Sequence, residues 1–330
     1  MAALHLTLAC GDYDRTRALW DGRVAVEGVD LTYLRLEPEE TFWRMLRHRE
    51  FDAAEMSLAM YAIGKAQGAS SFVAIPVFPS RFFRHSSIYV NVNSGVERPT
   101  DLIGKRVGVP EYQITAAVWV RGILEREYGV RPAQMTWVTG GQERPDREAK
   151  MPLQPLPEVR VERAPAGTTL NEMLLRGEIA ALVASRPPSS FLAGDDRVRR
   201  LFPDYRTVEK DYFRRTGIFP IMHTVVIKRE IAAAQPWLAQ SLTKAFTEAK
   251  ALCLRSITNM TALRTMLPWM TADVEEMLAL MGDDPWPYGV EPNRVTIQTL
   301  LDDLVAQGLL ERPLEVDELF APSTLSAYRL

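Results

Sequence analysis

The sequence predicts an α/β protein folded in two lobes. Strand-like and helix-like segments alternate along the chain. Its 330 residues exceed the usual size of a single hydrophobic core. The order of elements also carries the chain to a second set of α/β units near residue 95 and returns it near 218. The expected division is residues 1–94 with 219–330 as a discontinuous first lobe and 95–218 as the second. Lobes joined by crossover strands create an inter-lobe cleft, the preferred place for a small-molecule site, faced by strand C-terminal ends and helix N-termini.

Leu4 to Cys10 alternates apolar and polar residues and reads as the first strand. Asp12 to Gly28 starts as a helix, and Leu31 to Leu36 is a second strand. Pro38-Glu39-Glu40 opens a helix that carries Phe42, Met45 and Leu46 on one face. Phe51 to Met56 returns as a buried strand, and Ile88 to Val92 is strand-like. Arg106 to Val109 is a short strand, and Thr115 to Tyr128 is a helix ended near Gly129. Residues 139–168 are punctuated by Pro145, Pro152, Pro155, Pro157 and Pro165, which predicts a long ordered excursion. Thr169-Leu170-Asn171-Glu172 is a capping box before a short helix that ends at Gly177. Ile179 to Ala184 is a buried strand, and His223 to Ile227 is another. Pro236 sits at a helix start whose face carries Leu238, Leu242, Ala245, Phe246 and Ala249. Ile297, Leu300, Leu301, Leu304 and Val305 form a final stripe closed by Gly308.

Composition narrows the function classes. The net charge of −3, from 42 acidic and 39 basic residues, gives no basic surplus for a nucleic-acid partner. No apolar run is long enough to span a bilayer. The N-terminal apolar stretch is short and has no basic residue before it, so it reads as a strand rather than an export signal, and a cytoplasmic location is expected. Cys10 and Cys253 form no motif and read as packing residues in a reducing compartment. Gly-x-Gly-x-x-Gly after a strand, a P-loop, His-Glu-x-x-His, Cys-x-x-Cys and a Gly-x-Ser-x-Gly elbow are all missing, so neither a zinc site nor a serine nucleophile is expected.

Polar clusters fall at strand ends and helix starts. Arg81, Arg84 and His85 stand among aromatic residues, and the chain has only four histidines. Arginine forks match carboxylates and imidazole moves a proton near neutral pH, but a plain basic loop has the same composition. Tyr13 follows the first strand, where Asp12 or Asp14 caps a helix. Ser57 follows the strand from Phe51. Glu111, Gln113 and Thr115 lead into a helix, with Thr115 a cap or a ligand donor. Arg186 ends a strand or lies on the surface. His223 opens the return strand or packs in the core, and Trp286-Pro287-Tyr288-Gly289 is a packed turn or an aromatic wall.

Several long strings then resemble the 4,5-dihydroxyphthalate decarboxylase family. They are Gly11-Asp12-Tyr13-Asp14-Arg15-Thr16, Phe51-Asp52-Ala53-Ala54-Glu55-Met56-Ser57, Val77-Phe78-Pro79-Ser80-Arg81, Phe83-Arg84-His85-Ser86 and Gly108-Val109-Pro110-Glu111-Tyr112-Gln113. Thr216 to Thr224 and Gly282 to Gly289 continue the likeness, which runs from about Leu6 to about Leu325. The resemblance implies a type II periplasmic-binding-protein-like fold used by a cytoplasmic enzyme, no organic cofactor, and a homo-oligomer acting on a small aromatic carboxylate. The family reaction converts 4,5-dihydroxyphthalate to 3,4-dihydroxybenzoate and CO2. It requires a proton donor over the ring carbon, an acceptor at the para hydroxyl, and a clamp for the carboxylate that stays.

His223 is the first expected donor and His85 the second; a positioned acid contributes about 10²–10⁴-fold. Glu111 is the expected acceptor of the phenolic proton. Arg81 and Arg186 are the expected clamps, with Arg84 in reserve and Thr115 helping to hold an anion. Tyr13, Ser57 and Gln113 are further binding candidates, and Trp286 would supply an apolar wall. The fold is shared with transporter receptors, so a solute-binding protein for a small carboxylate is the competing reading, alongside a decarboxylase of a different aromatic diacid.

Overall fold

The computed structural model of the chain describes residues 3–68, 70–259 and 261–326. Met1 and Ala2, where the N-terminal reading begins, lie outside them. The strands in chain order are β1 (Leu4–Cys10), β2 (Val29–Arg35), β3 (Ala53–Ser57), β4 (Phe72–Arg81), β5 (Ile88–Asn91), β6 (Arg106–Val109), β7 (Thr136–Thr139), β8 (Arg160–Arg163), β9 (Ala181–Val183), β10 (Val198–Arg200) and β11 (Ile221–Lys228). They form two sheets, in the orders β2-β1-β3-β11-β4 and β10-β5-β9-β6-β7-β8. The chain divides into two compact units: Met1–Arg81, His223–Ile297 and Leu314–Leu330 in one, Phe82–Met222 and Gln298–Pro313 in the other.

In the first unit, β1 pairs in parallel with β2 and β3, whereas β11 runs antiparallel to β3. Strand β3 is buried at every residue, as a central strand covered on both faces should be. The helix Pro38–His48 begins with proline at its first turn behind an extended Glu37 and ends at a left-handed Arg49. Strand β4 was hidden in the sequence by Pro76 and Pro79; it lies at the sheet edge, where missing N–H donors are tolerated. The stretch expected to be helical after Asp12 yields only the 3₁₀ turn Asp14–Thr16 and one turn over Arg17–Trp20, because Gly22 takes a positive φ and breaks it.

In the second unit, β6, β7 and β8 pair in parallel, while β5 runs antiparallel to both β9 and β10. The core gathers Tyr112, Val120, Leu124 and Trp137. The helix Thr115–Tyr128 is where the periodicity places it, closed by Gly129 in the left-handed region. Its cap is a correction: extended Ile114 holds the N-cap position, so Thr115 is the first helical residue. The excursion over 139–168 also contains a strand, since β8 extends the sheet beside β7. The Thr169 and Glu172 capping box forms reciprocally, at 3.2 and 3.1 Å.

The sequence placed the changes of lobe near 95 and 218; in the structure the units change at Arg81/Phe82 and Met222/His223. Residues 298–313 join the second unit because Gln307 accepts from the buried Arg121 at 2.7 Å and Asp303 pairs with Arg126. Among the described residues no helix is long and apolar enough to cross a membrane.

Candidate active site

Strand register assembles a buried cluster in the first unit. Leu8 and Ala9 stand beside Ala53 and Ala54, which brings the end of β1 alongside Glu55. On the other side of β3, Glu55 faces Val225 and Ser57 faces His223. Side chains two apart on a strand share a face, so Glu55 and His223 are diagonal neighbours on one side of the sheet. His223 Nδ1 lies 2.6 Å from Glu55 Oε1. Tyr13 donates its hydroxyl to the same oxygen at 2.8 Å, and the other oxygen accepts from the Gly11 amide at 3.0 Å and the Cys10 thiol at 3.6 Å. Gly11 is required for this fold-back, since a Cβ there would stand 2.6 Å from the Tyr13 ring.

The electrostatics follow from burial. Glu55 is fully buried, which by itself raises a carboxyl pKa; the His223 charge and the hydrogen bonds from His223, Gly11 and Tyr13 outweigh that and hold it below its ordinary value. Burial, then the Glu55 charge, pushes the Tyr13 phenol up, so it stays protonated and donates. His223 meets the edge of Phe42 with ring centroids 4.8 Å apart. Its side chain is 17% exposed, and Nε2 has no hydrogen-bond partner among the described residues. A carboxylate on one imidazole nitrogen fixes the ring and leaves the other nitrogen to give or take a proton. Beside this cluster Trp286 donates to the Phe78 carbonyl at 2.8 Å, and the Arg15 guanidinium lies between the Tyr13 and Trp286 rings.

Of the residues expected from sequence, Tyr13, Ser57, His223 and Trp286 belong to this region. Ser57 caps the helix Leu58–Ala66, accepting from the Met60 amide at 3.5 Å. Arg81 ends β4 in the same unit but is buried, and burial pushes its pKa down to about 9. It donates to the Pro287 carbonyl at 2.7 Å and to the Asn293 side chain. Asn293 in turn donates to the carbonyls of Pro287 and Gly289, so this arginine fastens the Trp286 turn.

The remaining expected residues lie in the second unit. Glu111 is buried with Lys150, whose Nζ stands 2.6 Å away, and also takes Arg147 at 3.2 Å. Gln113 donates to the Met151 carbonyl at 2.7 Å. Together they tie the proline-rich excursion to the start of the helix at Thr115, which is itself buried. Arg186 is exposed. His85 is buried against Phe202 and Tyr212, and burial holds its pKa down to about 4, so it is neutral at pH 7. Arg84 is a buried cation whose partners are a methionine sulfur, Met222 Sδ at 3.1 Å, and the Ser87 hydroxyl at 3.4 Å, with the Phe82 ring at 4.6 Å.

Sequence reading missed Glu55. The signal was present: an ionisable residue inside the apolar strand run Ala53-Ala54-Glu55-Met56 must find partners once buried. Among the described residues no group of three or more His, Cys, Asp or Glu is placed to hold a metal ion.

The chain is 42% identical over 331 aligned residues to a 4,5-dihydroxyphthalate decarboxylase from Comamonas testosteroni, covering 100% of both chains. It belongs to the 4,5-dihydroxyphthalate decarboxylase family. A second relative of that name, from Pseudomonas putida, is 45% identical over 214 residues, 65% of this chain and 83% of its own. Membership places the chain among the carboxy-lyases. No family model matches it. Its structure is similar to that of the periplasmic aliphatic sulphonate binding protein SsuA from Escherichia coli, with a TM-score of 0.53, 14% identity and coverage of 98% of this chain and 99% of that one. At that identity the likeness establishes the periplasmic-binding-protein fold alone.

Proposed function

We propose that this family member removes one carboxylate from 4,5-dihydroxyphthalate, giving 3,4-dihydroxybenzoate and CO2, with His223 as the proton donor. The observation that carries the reading is the histidine held by a buried, ionised glutamate in the middle of a central strand, with its second nitrogen unpartnered among the described residues. Each carboxylate of this substrate has a hydroxyl para to it. Electron density from that oxygen reaches the carbon that bears the carboxylate. The Nε2–H of the imidazolium gives its proton to that carbon, and the ring loses its aromaticity. The carbon–carboxylate bond then breaks, its electron pair returns to the ring, and CO2 leaves uncharged. Water returns a proton to the imidazole.

Glu55 holds the ring of His223 and supplies the counter-charge of the imidazolium; Tyr13 and Gly11 hold Glu55. A positioned acid of this kind contributes about 10²–10⁴-fold. The Phe42 edge gives the donor an apolar side, where conversion of an anion to neutral CO2 is favoured. Because the substrate's own para oxygen supplies the electrons, the step needs no organic cofactor. The proposal extends to a cytoplasmic homo-oligomer.

Incubation with 4,5-dihydroxyphthalate and a panel of other hydroxylated aromatic acids, following CO2 and product mass, tests the reading. Release of CO2 with formation of 3,4-dihydroxybenzoate is expected. Binding of these acids without CO2 release would sink it in favour of a solute-binding protein.

A further inference from the structure

Arg15 is held in an unusual way for a residue outside the hydrophobic core. Its guanidinium carbon lies 4.2 Å from the centroid of the Tyr13 ring and 4.3 Å from that of the Trp286 ring. The side chain is 17% exposed. Nε donates to the Pro79 carbonyl at 2.6 Å and Nη1 to Asp14 at 3.1 Å, while Nη2 has no partner among the described residues. The Asp14 side chain is 56% exposed, so solvent screens and weakens that pair.

This is a built position for an anion. A guanidinium between two aromatic faces is fixed in plane and weakly hydrated, which makes it a pre-organised fork for a carboxylate. The Tyr13 ring that carries it on one face sends its hydroxyl to Glu55, which holds His223. The positive charge therefore stands one side chain away from the proton-donor assembly.

The chemistry decides which carboxylate it takes. The leaving group loses its negative charge on the way to CO2, so a cation paired with it would stabilise the ground state more than the transition state and slow the reaction. The carboxylate that stays on the ring keeps its charge throughout, and an arginine there orients the ring without opposing the step. Building on the decarboxylase reading above, we infer that Arg15 binds the retained carboxylate and sets the specificity for a vicinal dicarboxylate.

Because that carboxylate survives in the product, the test can be made without turnover. Calorimetric titration compares 3,4-dihydroxybenzoate with its uncharged analogue 3,4-dihydroxybenzamide. Wild-type protein should bind the acid about 10–100-fold more tightly than the amide, the range of a charge-assisted hydrogen bond. Arg15→Met should lose that preference while its affinity for the amide stays near the wild-type value. Arg15→Lys keeps the charge but loses the fork; it should raise KM for 4,5-dihydroxyphthalate, and an unchanged KM would count against the fork. Absence of an acid preference in the wild type overturns the inference even if neither variant folds. Equal weakening of acid and amide by Arg15→Met overturns it too, since the residue would then merely prop Tyr13 and Trp286. A wild type that prefers the acid through Arg15 yet releases no CO2 sinks the decarboxylase reading and leaves the carboxylate site standing.

Discussion

Replacing Glu55 with glutamine separates charge from shape at the centre of the candidate site. The carboxylate takes four donors: His223 and Tyr13 on one oxygen, the Gly11 amide and the Cys10 thiol on the other. A glutamine keeps one oxygen for two of them and turns an N–H group toward the others. Breaking a buried ion pair from one side costs about 3–5 kcal/mol, and a buried donor left facing a donor adds to that cost. A loss of about 4 kcal/mol in unfolding free energy at pH 7 is expected, read by urea denaturation. In parallel kcat should fall about 10²–10⁴-fold, because the imidazole loses both its orientation and its counter-charge.

The pH dependence gives a second reading of the same change. The folded pKa of Glu55 lies below its ordinary value of 4.5, since the His223 charge and the hydrogen bonds exceed the opposing effect of burial. A carboxylate lowered in this way contributes stability that is fully present above the unfolded pKa and lost as pH falls through the folded one. The difference in stability between wild type and Glu55→Gln should therefore shrink as pH falls below the ordinary carboxyl value of 4.5 and through the lower folded one. A variant with wild-type kcat, or a stability difference that does not shrink in acid, would refute the reasoning.

Two more outcomes follow from the same geometry. His223→Gln should abolish CO2 release, and also the exchange of solvent deuterium into C6 of 3,4-dihydroxybenzoate followed by NMR, because that exchange reverses the protonation; retained exchange at wild-type rate would remove His223 from the step. Lys150→Met should strand the buried Glu111 carboxylate and destabilise the chain by about 3 kcal/mol, with much of the loss recovered in the double variant Glu111→Gln, Lys150→Met; a neutral single variant would mean that Arg147 alone satisfies Glu111.

Local pattern made several parts of this protein legible. The helix over Thr115–Tyr128, strand β6 and the capping box at Thr169 lie where their residues place them, because each depends on contacts within a few positions in sequence. His223 and Tyr13 were legible as candidates, since a histidine near the start of a strand and a tyrosine following one are local facts. Strand β4 was not, because only its place at the sheet edge explains how it carries two prolines.

What the chain alone determined is thus the alternation of strands and helices, the buried faces, and the family strings that carry the reaction class. Tertiary structure decided the partners. Glu55 and His223 are 168 residues apart in sequence, and only the antiparallel register of β3 and β11 brings them within 2.6 Å. The same level of organisation turned Arg81 toward Pro287, gave Glu111 to Lys150, buried His85 in an aromatic shell, and laid Arg15 between Tyr13 and Trp286. A charged side chain acts through whatever it meets once water is removed, and those encounters are set by the folding of distant segments onto one another.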